Sequence, residues 1–334
     1  TGVRRVLFRS GKQETYSVSE SMSQSRFLSF FGRLDYSILD KYYFDASVRN
    51  DACSRFGANN RNATFWAVGG MWKIKGEDFL YAVDAVNDLN FKVSYGTQGN
   101  ASIGNYQHLG LVSTASKYMD TGAKVLSQPS NPGLTWEQQA LLTVGINGRF
   151  FNMLDVNIEF YNRTTTDMLM DVPYNYTTGF SSLKANVGSL SNRGVDITLG
   201  VDIIRGRDDW FGASTTCNYN DERVTGLFNG LDRWEMTGYG LAYVVGKPVM
   251  FYAPIYAGID PADGAPMWYL PGENVDETTM NETTKDFDEA SLTQNTGLRY
   301  TPPIYGGFSI GGGWRGISVQ ADFSYVLGKT LINN

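Results

Sequence analysis

The chain has 334 residues and a net charge of −6 at pH 7, with 28 Lys and Arg against 34 Asp and Glu. This acidic balance argues against nucleic-acid binding, which depends on lysine- and arginine-rich surfaces. Aromatic residues make up 14% of the chain, and no run approaches the ~18 consecutive apolar residues of a membrane helix, which excludes a helical membrane protein but not a membrane barrel.

The first ten residues, TGVRRVLFRS, have no period and carry an arginine cluster. They resemble the translation of a sequencing adapter, so we expect them to be non-native and the native domain to cover residues 11–334. The sequence carries no signal peptide, and we interpret it as the product of a truncated gene, which leaves the location of the protein open.

Period-two alternation then recurs from Leu28 to Leu327. It is clearest over 154–161, 195–203 and 317–327, where apolar and polar side chains point to opposite faces. The pattern predicts about ten to twelve strands, many ~10 residues long, as a tilted strand needs to cross a bilayer. No helix is predicted. Weaker alternation covers 28–38, 44–53, 65–74, 89–96, 141–147, 211–219 and 308–314.

The connections alternate in length along the chain. Short turns are predicted at 39–41, 151–152, 206–208 and 316. Tight periplasmic turns and long extracellular loops are typical of outer-membrane barrels, whereas a sandwich with so many long loops would be unusual. The sequence therefore favours an all-β fold, a partial transmembrane antiparallel up-and-down β-barrel. Long connections are predicted at 54–64, 99–133, 171–186, 221–247 and 260–303.

Two alternatives stay open at this point. A passive porin or adhesin-type barrel would share the alternation. A soluble carbohydrate-binding β-sandwich would too, but its apolar side chains would be buried between two sheets. The residues that decide this are Val156, Ile158, Val195, Ile197 and Val319.

The sequence gives little support for a catalytic site or a metal-binding site. His108 is the single histidine and has no metal-spaced partner, and nothing marks a nucleophile beside it. Asp260-Pro261-Ala262-Asp263-Gly264 resembles the start of a calcium loop but lacks its closing acid, so a turn is favoured. Cys53 and Cys217 are expected to be free thiols. The sequence predicts no enzyme, no cofactor and no metal.

Aromatic side chains in the long connections are the candidate ligand contacts. They lie beside Asn and Asp, a mixture that suits sugars or peptides, because a ring stacks on an apolar face while amides and carboxylates form hydrogen bonds. The alternative is that these rings pack the loops on one another or on a partner. The candidates are Tyr106, Tyr174, Tyr176, Phe180, Trp234, Tyr239 and Trp268.

An ordered series of motifs resembles the SusC/RagA family of TonB-linked outer-membrane proteins from Bacteroidetes. A first group is FGRLDYS at 31–37, DKY at 40–42, VRND at 48–51 and SRFG at 54–57. A second group is SYGTQGN at 94–100, IGNY at 103–106, NPGLTWE at 131–137 and NVGSLSNRGVD at 186–196. YAGIDP at 256–261 and SYVLGK at 324–329 complete a series that covers nearly all of residues 25–330.

This resemblance implies a larger barrel of about 22 strands, of which the chain is the middle-to-late part. The plug, the TonB box and the final strands are missing. It implies active import of oligomeric nutrients, glycans first and peptides second, in the outer membrane. The implied partners are a SusD-like surface lipoprotein, the TonB complex acting through the missing N-terminal parts, and outer-membrane lipids.

Overall fold

The computed structural model describes residues 22–118, 121–174, 176–236, 240–270, 282–286, 288 and 294–331. Strands dominate these residues. The first twelve are β1 (Phe27–Ile38), β2 (Tyr42–Cys53), β3 (Asn62–Lys73), β4 (Val86–Asn100), β5 (Leu111–Tyr118), β6 (Thr121–Gln128), β7 (Glu137–Phe150), β8 (Leu154–Thr166), β9 (Leu169–Pro173), β10 (Ser182–Asn186), β11 (Ser189–Arg205) and β12 (Asp209–Gly226). The others are β13 (Arg233–Met236), β14 (Leu241–Val244), β15 (Met250–Ala253), β16 (Ile255–Ile259), β17 (Pro266–Tyr269), β18 (Thr283–Thr284), β19 (Gln294–Arg299), β20 (Ile304–Trp314) and β21 (Ile317–Leu327).

Among the residues that the structure describes, helical structure is confined to short pieces in the connections. The α-helix α1 covers Asp78–Tyr81, and 3-10 turns lie at Ile74–Gly76, Tyr176–Thr178 and Phe228–Gly230. Across the described ranges, none of the helices has the length and apolar character to span a membrane.

Ten long strands form one antiparallel sheet in the order β1-β2-β3-β4-β7-β8-β11-β12-β20-β21. The prediction of an all-β partial barrel is confirmed, and each of the ten sheet strands coincides with one of the predicted alternating segments, apart from Ile74, which lies beyond the end of β3. The strands run beyond the alternating cores, because pairing continues past the apolar stripe: β11 has 17 residues and β12 has 18. The order is open, with β1 and β21 at its two ends.

The register places the predicted apolar side chains on one continuous face of this sheet. Ile158 lies opposite Ile146 on one side and Ile197 on the other, and Val195 lies opposite Phe160. Paired residues of an antiparallel sheet share a face, so one stripe of apolar side chains crosses the strands. We call this the outer face.

The outer face is exposed and has no second sheet packed on it in the described part of the chain. Ile158 is 44% exposed and Val319 is 69% exposed, and Val156, Val195 and Ile197 are half-buried at most. A soluble sandwich requires these side chains in a dry core between two sheets. The β-sandwich alternative is therefore wrong.

The short turns predicted at 39–41, 151–152, 206–208 and 316 are confirmed, and all lie at one end of the sheet. Arg315 and Gly316 join β20 to β21 with φ of 47° and 86°, the pair of positive φ values that suits a two-residue hairpin turn. We call this the short-turn end. One connection at this end, 74–85 between β3 and β4, was not predicted, since the predicted strands stop at Ile74 and resume at Leu89 with no turn assigned between them.

The long connections leave the opposite end, which we call the long-loop end. Apart from 54–61, they carry strands of their own, which the sequence analysis did not predict. Smaller sheets form from β5 with β6, from β9 with β10, from β13, β14, β15 and β19, and from β16, β17 and β18. The predicted alternation of short and long connections holds in part. The connection 74–85 at the short-turn end is longer than 54–61 at the long-loop end, and the long connections predicted at 221–247 and 260–303 are one connection between β12 and β20. The hairpins inside the long connections were missed.

Candidate functional site

The inner face of the sheet carries a polar row that crosses six strands at one level. The register aligns Lys92 with Gly145, then Glu159 with Asp196, and then Asn218 with Tyr305. The amide of Asn218 donates to the carboxylate of Asp196. Glu159, Asp196, Asn218 and Tyr305 of this row line a groove of about 360 Å³ together with Tyr161 and Arg163 of β8. The inner face is thus a water-compatible wall, as the alternation indicated. The same face carries Asp155, Asn157, Asp202 and Asp322.

Near the short-turn end, Arg149 links side chains of three neighbouring strands on the inner face. Arg149 of β7 forms ion pairs with Asp155 of β8 at 2.8 Å and with Asp202 of β11 at 2.8 Å. Its second guanidinium nitrogen also donates to the carbonyl of Asn152 at 3.0 Å. Because all three side chains are partly exposed, the pairs fix the wall locally and add little free energy.

An aromatic cluster at the long-loop end holds two connections together. Trp136 is 2% exposed and contacts Phe56 with ring centroids 5.3 Å apart and Phe65 at 5.8 Å. Its indole N–H donates to the carbonyl of Arg61 at 3.0 Å. Leu134 is fully buried beside it. Phe56 and Trp136 belong to the motifs SRFG and NPGLTWE, so these motifs build a loop core. We call these residues the loop core.

Two asparagines extend this anchoring to the connection between β8 and β11. Asn186 accepts a hydrogen bond from the N–H of Thr135 at 2.7 Å, and its amide donates to the carbonyl of Thr135 at 2.7 Å. Asn131 donates to the carbonyl of Lys184 at 2.8 Å. Since Asn131 and Asn186 come from two separate motifs, the resemblance marks side chains that lock three long connections into one assembly.

The candidate ligand-contact residues are spread over separate connections. Tyr106 has a φ of 66°, and its hydroxyl accepts from the N–H of Gln24 at 3.1 Å. Trp268 of β17 packs edge-on against Tyr256 at 6.5 Å. Tyr174 is exposed and Phe180 is half-buried, both in the loop between β9 and β10. Tyr239 and the side chain of Tyr176 lie outside the described residues.

Trp234 is the candidate that lines a cleft. It lies in β13 opposite Tyr243 of β14, with the rings stacked at 5.7 Å and an angle of 29°. Phe228 packs against Trp234 at 5.2 Å and nearly a right angle. Burial raises the pKa of the Tyr243 phenol, as expected for a hydroxyl held in an apolar surrounding.

This cleft, which we call the hairpin cleft, lies between the β9–β10 hairpin and the β13–β14 hairpin and has a volume of about 500 Å³. Met170, Asp171 and Lys184 line it from the first hairpin. The sequence indicated Trp234 but missed these residues. Their pairing brings together two connections that are 50 residues or more apart in the chain, and a periodic pattern carries no information about such distant contacts.

The acidic segment at 260–264 is a turn, which agrees with the interpretation favoured from the sequence. Asp260 accepts from the N–H of Ala262 at 2.8 Å, and Gly264 has a φ of 74°. Lys285 forms ion pairs with Asp260 at 2.5 Å and with Asp263 at 2.7 Å. The ammonium group therefore holds the pKa of both carboxyls below their ordinary value, and its positive charge offsets part of their negative charge.

The remaining reactive side chains have structural contacts. His108 lies with Nδ1 at 2.9 Å from the carbonyl of Arg55, a contact in which Nδ1–H donates. Cys53 is buried in the loop core and Cys217 is half-buried, and both are free thiols. Within the described ranges, no group of three or more potential metal ligands is found.

Together these features define the class of protein to which the chain belongs. A single antiparallel sheet with an exposed apolar outer face, a polar inner face, short turns at one end and elaborate connections at the other is the wall of an outer-membrane β-barrel. The chain belongs to the TonB dependent receptor-like β-barrel family, whose model matches residues 6–331. It is accordingly an outer-membrane protein, and its fold is a partial barrel.

Individual relatives agree with this assignment. TonB-dependent receptor P39 of Formosa agariphila is 34% identical over 212 residues, covering 63% of this chain and 20% of its own length. TonB-dependent receptor SusC of Bacteroides thetaiotaomicron is 32% identical over 220 residues, covering 63% and 22%. The RagAB peptide importer in its closed-closed state matches with 43% identity and a TM-score of 0.81, covering 91% of this chain and 33% of that chain. The SusC/RagA resemblance is confirmed.

The chain spans about a fifth of the length of these two curated relatives. The relatives are receptors and transporters, which fits a protein that is not an enzyme. The match of the family model begins at residue 6, whereas the prediction that residues 1–10 are non-native concerns positions outside the described residues and stays a prediction.

Proposed function

We propose that this chain forms part of the barrel wall of a TonB-dependent importer that takes up oligomeric nutrients across the outer membrane. The observation that carries the proposal is the two-faced ten-stranded sheet, apolar outside and polar inside, with long connections locked together by the loop core. A rigid wall with a polar inner face suits a conduit, and loops fixed at its mouth suit the capture of a ligand.

The nutrients we propose are oligosaccharides first, with peptides as the second class. Support comes from the aromatic candidates in the long connections and from relatives that include a SusC receptor and a RagAB peptide importer. An imported oligomer would contact Trp234, Trp268 and Tyr174 on the described connections. Tyr106, Tyr176, Phe180 and Tyr239 remain proposed contacts on the same grounds.

The partners we propose follow from the resemblance to SusC/RagA proteins. A SusD-like surface lipoprotein would cover the long-loop end and deliver the ligand, and the TonB complex would act through N-terminal parts of the whole protein. Outer-membrane lipids would cover the outer face of the sheet. The loop core offers a rigid support for such a cap, since Phe56, Leu134 and Trp136 are almost fully buried.

Uptake by cells that carry the intact gene tests this function. A deletion strain complemented with the intact gene is expected to accumulate a labelled oligosaccharide or peptide, and accumulation should stop when TonB is deleted or the proton-motive force is collapsed. A passive porin would equilibrate the label without TonB. Uptake that persists unchanged in the TonB deletion would therefore reject energised import and favour the porin.

A further inference from the structure

Two aromatic side chains mark the outer face of the sheet at the short-turn end, beside the connection 74–85. The register puts Trp72 of β3 in one row with Phe91 of β4 and Ile158 of β8, so Trp72 lies on the outer face. Tyr42 of β2 lies opposite Trp72 and shares this face. Both rings stand at the ends of their strands, where the outer face meets the short turns.

Glu77 fixes the connection 74–85 against these two rings. Its carboxylate accepts from the hydroxyl of Tyr42 at 2.7 Å and from the indole N–H of Trp72 at 3.1 Å. The ammonium of Lys41 lies 3.3 Å from its other oxygen. Because three donors surround the carboxylate, it can lie beside a bilayer without losing its polar partners. The connection therefore folds over the lipid side of the wall.

Lys75 binds the backbone of the same connection. Its ammonium donates to the carbonyls of Leu80 and Tyr81, each at 3.1 Å, and to that of Val83 at 2.8 Å. An ammonium has three donors, so all of them are used inside the connection. The carbonyls around the end of α1 thus have partners within the protein, which backbone beside hydrocarbon requires because lipid offers none.

The side chains that point away from the connection are apolar or aromatic. Phe79 is 68% exposed, Tyr81 is 76% exposed and Val83 is exposed as well. Exposed apolar groups that lie together mark a surface for a partner or a membrane. Aromatic rings are favoured at the boundary between headgroups and acyl chains. Because the neighbouring outer face meets hydrocarbon, the partner of these rings is the same bilayer.

The exposed charges beside these rings are acidic. Asp78 and Asp84 are exposed, whereas Lys41 and Lys75 are already bound to Glu77 and to backbone carbonyls. Two exposed carboxylates repel a headgroup of net negative charge. A zwitterionic headgroup offers them an ammonium instead. The charges therefore favour a zwitterionic lipid surface.

We propose that the connection 74–85 is a membrane anchor, which places the rings of Phe79 and Tyr81 among the headgroups of zwitterionic glycerophospholipids at the short-turn end of the barrel. We call this connection the aromatic anchor. The proposal goes beyond the import function, because it concerns a segment outside the sheet and depends only on the position of the barrel in a bilayer. Glu77 and Lys75 are its positioning residues, and the two rings are its lipid contacts.

The test uses the protein encoded by the intact gene, reconstituted in phosphatidylcholine vesicles, with trifluoromethylphenylalanine in place of Phe79. A lipid with a nitroxide near the top of its acyl chain should broaden the fluorine signal about threefold more than a water-soluble gadolinium chelate does, because the ring lies at the headgroup boundary. The same probe in place of Tyr256, an exposed ring of the long connections, is the control, and there the chelate should dominate. A signal at position 79 that only the chelate broadens would overturn the anchor.

Two variants of Glu77 test how the anchor is held. E77L removes every acceptor of the side chain, so the connection should leave the outer face and the chelate should become the stronger agent at position 79. E77Q keeps an oxygen for Tyr42 and Trp72 and should retain the lipid contact. Heat-modifiable mobility shows that the barrel is folded in both. Unchanged lipid contact in folded E77L would overturn the role of Glu77 as a positioning residue.

Vesicles of phosphatidylglycerol test the lipid class. The broadening by the nitroxide lipid should be smaller in these anionic vesicles, and replacing both acids, D78N with D84N, should remove the difference. Equal or stronger broadening of the unchanged protein in the anionic vesicles would overturn the choice of a zwitterionic surface. None of these measurements involves TonB or a nutrient, so a failure of the uptake assay would leave the anchor standing.

Discussion

Asn186 exchanges two hydrogen bonds with the backbone of Thr135, which lies 51 residues earlier, each 2.7 Å long. Its amide also donates to the carbonyl of Asp167 at 2.9 Å. One side chain thus satisfies three backbone groups in two connections, which a hydrophobic contact of the same size cannot do. The outer assembly therefore depends on specific polar side chains as well as on the loop core.

Replacing Asn186 by Ala should release these connections. The two backbone groups of Thr135 that lose their partner are partly buried, so the loss is expected to be about 1–3 kcal/mol. The change should appear as faster amide exchange and faster proteolysis within 129–136 and 182–188, with the strands of the sheet unchanged. N186D keeps the acceptor and loses the donors, so it should have an intermediate effect. N192A on the inner face is the control and should leave both connections protected.

Replacing Trp136 by Ala should disrupt the loop core. The side chain is 2% exposed and contacts three rings, so a loss of about 3–5 kcal/mol is expected from cavity formation. W136F keeps an aromatic ring but removes the hydrogen bond to Arg61, and should cost about 1 kcal/mol beyond the smaller volume. Urea unfolding followed by fluorescence measures both. Equal stability of W136A and the unchanged protein would refute a structural role for this motif.

Gly194, in the motif NVGSLSNRGVD, is a position where any larger side chain would clash with neighbouring atoms. A β-carbon there would lie 2.1 Å from the backbone oxygen of Tyr219 and 2.4 Å from the hydroxyl of Tyr161. G194A should therefore force two strands apart and destabilise the sheet by about 1–3 kcal/mol. Gly32 provides the control, because it lies on an open face where a β-carbon would meet no other atom within 4 Å. G32A should cost well under that amount in the same unfolding experiment.

The turn held by Lys285 should respond to pH. The pKa values of Asp260 and Asp263 are lowered in the folded protein. Their ion pairs therefore stabilise the turn fully above about pH 3.9, the pKa of an aspartate in the unfolded chain. This stabilisation is lost as the pH falls through the lowered pKa values. The pKa of Lys285 is raised, so its contribution is complete below about pH 10.4 and is lost as the pH rises through the raised value.

Hydrogen exchange of residues 255–269 checks this dependence. The ratio of exchange in K285Q to that in the unchanged protein cancels the intrinsic effect of pH. The ratio should be above one at pH 6 and should approach one as the pH falls through the lowered pKa values of the two carboxyls. K124Q, which alters a lysine of the β5–β6 hairpin, should give a ratio near one throughout. A ratio for K285Q that is already near one at pH 6 would contradict the assigned ion pairs.

The sheet could be predicted from the sequence because its signal is local. Alternation at 154–161 assigns Ile158 to one face and Glu159 to the other wherever the strand pairs, since the side-chain period is two. Turns such as Arg315-Gly316 are also local, because positive φ is set by two neighbouring residues. These features placed all ten strands of the sheet and most of its turns.

The candidate site could not be predicted in the same way. Trp234 stood out as an aromatic residue in a polar connection, but Met170 and Lys184 meet it through tertiary contact between two hairpins. No period links residues that far apart in the chain. The function of Trp136 was hidden for a related reason, since a buried indole in a loop core and an exposed one in a binding site have the same sequence signature. The motifs marked important positions without distinguishing anchoring from recognition.

A pair of neighbouring residues in β8 tests the orientation of the whole sheet. Ile158 lies on the outer face and is 44% exposed, whereas Asn157 lies on the polar inner face. In the outer membrane, I158R would place a guanidinium against hydrocarbon and should cost about 2–4 kcal/mol near the middle of the bilayer. N157R places the same group in water and should cost little. Heat-modifiable mobility and urea unfolding of the protein encoded by the intact gene, reconstituted in liposomes, measure the difference. If N157R proved the more damaging of the two, the assignment of the outer face to lipid would be reversed, because the penalty follows the side chain that meets the hydrocarbon.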